Sequence, residues 1–430
     1  MHRRCFLSSL AAGSAAALTR VPFALPCQAG AQPGGGMFAA DPFKPTEGAN
    51  QPIGTGKGIH PGRVVWVRDA NAASWDGVTG HWWDDAYTDQ KAVHAMVSRL
   101  LRNLTGAKGD RQAWDALFAS SGGYRPGERI AIKVNCNQDH SPQWGSGTGR
   151  RAQNGLPSPH VIAAVVTQLI ERGGVRGEDI LVYDVSRDVG QPIYEKVRRN
   201  ASREFQAVQF LAGGGIEVPG RLSPAPDTAN PIRFARNGLP AGYLPQQVTE
   251  AKHIINVALL RPHGLAGVTL TAKNHFGSIY FPDHGGWSPS VLHGSVTRTQ
   301  PMGSYNALVD LTGHRHLGGK TLLYVLDGLY TAEHNEGSVF RWASLGDQWA
   351  ASMLISQDPV AIDSVGLDLL RSEPRATEVR GHADNYLHEA AQAGKPPSGT
   401  IYRPDGASTL ASLGVHEHWN NAAQKKYTVR

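Results

Sequence analysis

Cysteine is almost missing from this chain: its 430 residues include only Cys5, Cys27 and Cys136. The first two fall in a segment that reads as a cleaved leader, which leaves Cys136 alone in the mature protein. One cysteine makes no intrachain disulfide and holds no iron–sulfur cluster. Stability must then come from an apolar core, and a buried inert thiol is the expected state of Cys136. A large charge excess is missing as well. The formal net charge of +6 drops to +3 once Arg3, Arg4 and Arg20 leave with residues 1–31, a stretch without acids. With so small a surplus, and no basic block interleaved with aromatics, nucleic-acid binding is not expected.

Several catalytic signatures are absent too. There is no Gly-x-Ser-x-Gly elbow and no His-Glu-x-x-His pair. Gly54-Thr-Gly-Lys57 lacks the preceding strand that a phosphate loop needs, and Gly213-Gly-Gly215 opens no convincing helix. Neither an NAD nor a flavin fingerprint is therefore read here.

What is present begins with the N-terminus. Arg3-Arg4 followed by Phe6-Leu7, a mildly apolar run over residues 6–18 and a small-residue Ala29-Gly-Ala31 site read as a twin-arginine export signal. The run is too short to remain in a bilayer as an anchor after cleavage. A lipid on Cys27 is the alternative, although Pro26 stands where a small residue is wanted. The expectation is a periplasmic or extracellular protein that meets the twin-arginine translocase during export. Residues 32–62, rich in Gly and Pro, read as an arm or linker, and residues 63–430 as one α/β domain.

Hydrophobic periodicity supports that fold class. Residues 89–104 place Val93, Met96, Val97, Leu100, Leu101 and Leu104 on one helical face. Residues 129–137 alternate with period two: Ile130, Ile132, Val134 and Cys136 share a face, and Lys133, Asn135 and Asn137 lie on the other. Ser158-Pro159 caps and opens a helix, and residues 180–184 follow as a buried strand. Later strands are expected at 253–260, 321–326 and 350–355, with helices after Asp358-Pro359 and near 385–392. This strand–helix alternation predicts a central, mostly parallel sheet flanked by helices, with long loop insertions.

Polar residues at predicted strand ends mark the candidate site, since open α/β sheets bind ligands beyond their strands' carboxyl ends. They are Asn135 and Asn137, Asp184, and Asp327. Lys133 lies within an apolar strand, where it must be paired or sit on an exposed face. His160 falls in the first turn of the Ser158-capped helix, where free N–H groups favour anions. The segment from Arg261 to Ile279 packs His263, Lys273, Asn274 and His275 among glycines. Eight of the 18 histidines fall between His253 and His334. A divalent metal is one reading of that density, though no dedicated ligand spacing appears.

Taken together, the ordered elements resemble the DUF362 family. They are Ile132-Lys-Val-Asn135, the Ser-Pro-led helix before Leu181-Val-Tyr-Asp184, Ile255-Asn-Val257, His263 to Gly277, Val325-Leu-Asp327 and Asp358-Pro-Val-Ala-Ile-Asp363. The resemblance implies an α/β fold and draws attention to Lys133, Asn135, Asn256, His263, Lys273, Asn274, Asp327 and Asp363. It supplies no reaction, and the ferredoxin-like cysteines of many relatives are missing here. The expectation is an exported enzyme, of hydrolase or lyase type, for a small polar or anionic substrate such as a carbohydrate or organic acid. Lys133, His263, Lys273 and His284 are its catalytic candidates, with Asn135, Asn137, His160, Asn256 and Asn274 binding substrate. Asp184, Asp327 and Asp363 would tune these groups or hold a metal. The alternative is a periplasmic cofactor- or metal-binding or maturation protein without catalysis.

Overall fold

The computed structural model describes residues 51–136, 156–213, 215, 217–335 and 337–417. The leader at 1–31, the arm over 32–50 and Asn137 lie outside the described residues.

Eleven strands are described. They are β1 (Ile53–Gly54), β2 (Val64–Arg68), β3 (Ile130–Lys133), β4 (Ile180–Tyr183), β5 (Gln209–Phe210), β6 (His253–Leu259), β7 (Arg261–His263), β8 (Gly267–Thr269), β9 (Thr321–Gly328), β10 (Ser352–Ser356) and β11 (Val415–His416). Seven of them form the central sheet in the order β2-β10-β9-β6-β3-β4-β5. The run from β9 to β5 is parallel throughout, while β10 lies antiparallel to both β9 and β2. The sheet is thus mixed and mostly parallel, flanked by helices, in an α/β fold.

Period-two alternation divides the core into two layers. Ile130, Ile132 and Val134 pack with Ile180, Val182, Met96, Trp114 and Val161 on one face. Ala131, Leu181 and Tyr183 pack with Ile254, Phe276, Leu308 and Ile362 on the other. Helices form where local signals agree with that burial. Asp89 caps Gln90–Thr105 by accepting from the Lys91 and Ala92 amides, and all six apolar positions of its predicted face are buried. Ser158 caps Pro159–Thr167 through the Val161 amide. Asp358 caps Pro359–Arg371 through the Val360 and Ala361 amides.

Two segments differ from the sequence reading. Residues 51–62, read as the end of an arm, are tied into the fold. β1 pairs with β11, and the Lys57 amide donates to Asp358 Oδ2 at 2.8 Å. The stretch from Arg261 to Ile279, read as a loop, is the hairpin β7–β8 followed by a short helix, Thr271–Asn274, and a 3-10 turn, His275–Ser278. Its odd polar residues are mostly buried.

Candidate functional site

The chain runs β3, β4, β5 outward on one side and then returns to β6 on the other side of β3. The strand order therefore reverses between β3 and β6, where open α/β sheets leave a crevice beyond the strand ends. Lys133, Asn135, Asp184 and Arg261 all sit at or just past those ends, and the segment of residues 261–279 covers them. A cavity of about 390 Å³ opens there, with Asn135, Asp184, Arg187, His263, Lys273 and His293 among its lining.

Beneath the cavity is a saturated polar network. Lys133 Nζ donates to Val134 O at 2.5 Å, Asn274 Oδ1 at 3.0 Å and Asp184 Oδ2 at 3.1 Å. All three ammonium hydrogens are used, and the side chain is fully buried. Burial pulls the ammonium below the usual lysine range, and the Asp184 carboxylate opposes that shift. Asn274 Nδ2 donates to Asn256 Oδ1 at 2.8 Å and to Val257 O at 3.2 Å. Asn256 Nδ2 in turn donates to Thr271 O at 2.9 Å. These amides hold the residue 261–279 segment onto β3 and β6. Of the predicted set, Lys133, Asn256 and Asn274 are thus framework. They are not among the residues that line the cavity.

Asp184 joins framework to cavity. Its Oδ2 accepts from Lys133 and the Cys136 amide, and its Oδ1 from the Ser186 amide and hydroxyl. Gly277 is what allows this packing. A Cβ there would stand 2.5 Å from Asp184 Oδ1 and 2.7 Å from Lys133 Nζ.

At the cavity wall, His263 Nδ1 accepts from the Leu265 and Ala266 amides at 3.1 and 3.3 Å. An Nδ1 that accepts carries no hydrogen, so the neutral ring keeps its proton on Nε2. Burial, helped by Lys273 and Arg261, drives the ring's pKa well below the usual histidine range. His263 is therefore a neutral hydrogen-bond donor at this wall.

Lys273 differs from Lys133. It is 8% exposed, and its Nζ lies 3.5 Å from the centroid of the Phe276 ring. Among the described residues it meets no hydrogen-bond acceptor. Burial first, then the Arg261 and Lys133 charges, push its pKa down to about 7, with Asp184 opposing. Arg261 reaches Asn135 Oδ1 at 3.2 Å, and a guanidinium keeps its charge even when buried. Two further buried atoms at the wall, Arg187 Nε and Thr269 Oγ1, have no partner among the described residues. Arg187, Thr269 and His293 were not candidates from sequence. His293 stacks on Phe276 with ring centroids 6.0 Å apart. Only its place in the histidine-rich stretch hinted at it.

The remaining candidates lie elsewhere. His160 is buried against Asp85, 2.8 Å from Oδ1, and burial lowers it to about 4. His284 is exposed on the turn between Phe281 and Gly286. Asp327 accepts from the Ser158 and Leu329 amides. Asp363 accepts from Thr271, Ala272 and the Tyr386 hydroxyl, holding the start of the Thr271–Asn274 helix. Asp184, Asp327 and Asp363 thus do not converge as metal ligands. Among the described residues, no group of three or more His, Cys, Asp or Glu side chains is placed to hold a metal ion. A larger hollow of about 820 Å³ lies beside Asp85 and Lys196. There Asp85 is already engaged by Lys196, Arg199 and His160, and none of the residues singled out from sequence lines it.

These features define an α/β protein with a cationic, partly unsatisfied cavity at the carboxyl edge of its parallel strands. The family described as a domain of unknown function, DUF362, matches residues 130–368. That is more than half of the chain, which belongs to this family. No curated protein matches it.

Proposed function

We propose that the protein is an exported enzyme, of lyase or hydrolase type, for a small anionic substrate bound in the cavity at Lys273. The observation that carries this reading is the excess of donors over acceptors at the wall. Arg187 Nε is buried without a partner among the described residues, and Lys273 Nζ and the His263 Nε2–H face the same cavity with no acceptor at hydrogen-bond distance among those residues, whereas the one lining carboxylate, Asp184, is occupied by Lys133, Cys136 and Ser186. A buried donor without an acceptor is costly, and a carboxylate entering the cavity would relieve that cost. The same donors would then stabilise negative charge developing on a bound carbonyl or carboxylate. Organic acids fit this better than neutral carbohydrates. Export rests on the Arg3-Arg4 leader alone.

Titration calorimetry of the mature protein with a set of short carboxylates tests the reading. Binding by the native protein and at least a tenfold loss in Lys273→Ala are expected. Full affinity in that variant would remove the cavity from consideration. Binding without turnover of any compound tried would favour the binding-protein alternative. The twin-arginine route is checked by fractionating cells that carry Arg3→Lys with Arg4→Lys; unchanged periplasmic yield would overturn that route, and absence of the native protein from the periplasm would overturn export itself.

A further inference from the structure

We propose that Lys273 is an amine nucleophile whose Nζ condenses with the carbonyl carbon of a small α-keto acid, the acid's carboxylate resting on Arg187 and the His263 Nε2–H. The inference rests on the reading of the cavity as an anion site and adds a covalent step to it. Four observations lead here.

The first is that the two lysines of this edge have opposite fates. Lys133 spends every hydrogen on Val134, Asp184 and Asn274. Lys273 spends none on the described residues and faces a cavity. The second is that its Nζ lies against an aromatic face, the Phe276 ring at 3.5 Å. That face shields one side of the nitrogen and offers no hydrogen-bond donor to occupy its lone pair, while its cation–π attraction for the ammonium works against deprotonation. The third is the charge around it. Arg261 and Lys133 both disfavour the ammonium, and with burial they bring Lys273 to about 7. Desolvation next to other cations is a recognised way to make a lysine amine nucleophilic at neutral pH. The fourth is size: about 390 Å³ admits a molecule of a few carbons.

The chemistry balances without a further reactant. The neutral Nζ lone pair attacks the carbonyl carbon, and the carbonyl π pair moves to oxygen, which gains a proton as nitrogen loses one. The carbinolamine then expels its hydroxyl with the second nitrogen hydrogen as water, leaving a C=N bond to Lys273. Protonation of that imine makes it an electron sink that weakens bonds to the adjacent carbon, which is lyase chemistry. Water adding back across C=N returns the free amine.

Reductive trapping tests this. The full mature protein is incubated with glyoxylate or pyruvate and cyanoborohydride, and the adduct is located by intact mass and peptide mapping. One adduct per chain at Lys273 is expected. It should form up to about a thousandfold faster than at exposed lysines at pH 7, because about half of this amine is neutral there against well under one in a thousand of an ordinary lysine. Oxalate, an acid without an electrophilic ketone, should block it. Lys273→Arg keeps the charge and should bind oxalate without forming the adduct; its melting profile checks that it is folded. If oxalate binds but both keto acids label lysines indiscriminately or not at all, the covalent step is overturned and the anion site stands. If neither oxalate nor the keto acids bind, the anion reading itself falls.

Discussion

Lys133 Nζ lies 3.1 Å from Asp184 Oδ2, and the two side chains are 0% and 2% exposed. Lys133 ends β3 and Asp184 directly follows β4, the adjacent parallel strand, whose register pairs Lys133 with Tyr183. Removing one partner of such a buried pair strands the other charge, at a cost of about 3–5 kcal/mol. Lys133→Met is therefore expected to lower the denaturant midpoint severely. Lys133→Met combined with Asp184→Asn should recover part of the loss. A double variant no better than the single one would show that the Asn274 and Cys136 contacts dominate.

Gly277 is needed for space. Its φ of −72° suits any residue, but an added Cβ would meet the Asp184 carboxylate and the Lys133 ammonium. Gly277→Ala should destabilise the protein by about 1–3 kcal/mol, as overpacking does, and should also weaken ligand binding. Equilibrium unfolding and calorimetry read both. A neutral effect would mean that the 3-10 turn shifts aside freely.

Anion affinity should depend on pH through Lys273. Only its protonated form attracts an anion electrostatically, and in the free protein that form is lost as pH rises through about 7. Affinity for oxalate is expected to level off below pH 7. Above it, affinity should fall by up to about tenfold per unit, with proton uptake on binding. Lys273→Arg should be flat from about pH 6 to 9, since a guanidinium stays charged. Calorimetry in buffers of different ionisation enthalpy measures the proton uptake.

His263 can be divided into its two nitrogens. Asparagine reproduces the Nδ1 acceptor that receives the Leu265 and Ala266 amides. His263→Asn should keep stability within about 1 kcal/mol while losing a cavity donor. His263→Gln should do the reverse, losing the turn and retaining a donor. Burial holds the ring neutral, so neither variant should remove the pH step assigned to Lys273. Thermal melts and oxalate titrations separate the outcomes.

Asp363 holds the start of the Thr271–Asn274 helix through contacts to the Thr271 amide and hydroxyl, the Ala272 amide and the Tyr386 hydroxyl. An amide in its place would set N–H groups against donors. Asp363→Asn is expected to cost about 1–3 kcal/mol. Tyr386→Phe, which removes one of these donors, should cost less. Denaturant titration compares them, and equal losses would contradict a capping role.

The periodic elements were legible because their burial repeats along the chain. The face of residues 89–104, the Ser158-Pro159 and Asp358-Pro359 helix starts, and the alternation around Lys133 all reappear in three dimensions. Short elements were not legible. β1 and β11 are two residues each and exist only because they pair across more than 350 residues of sequence. The hairpin β7–β8 likewise gave no run of alternation long enough to distinguish it from a loop.

An α/β chain with unusual polar residues at its strand ends could be read from residue order alone. Residue type and order are enough for that, since a lysine in an apolar strand must find a partner. Which of those residues pair with one another, and which face the cavity, is set by the folded arrangement. Lys133 and Lys273 look alike in sequence. The fold surrounds the first with three acceptors and sets the second beside an aromatic ring and two cations. Hydrogen-bond saturation and local electrostatics depend on groups brought from distant segments, so they are settled only when the segment of residues 261–279 closes over β3 and β4.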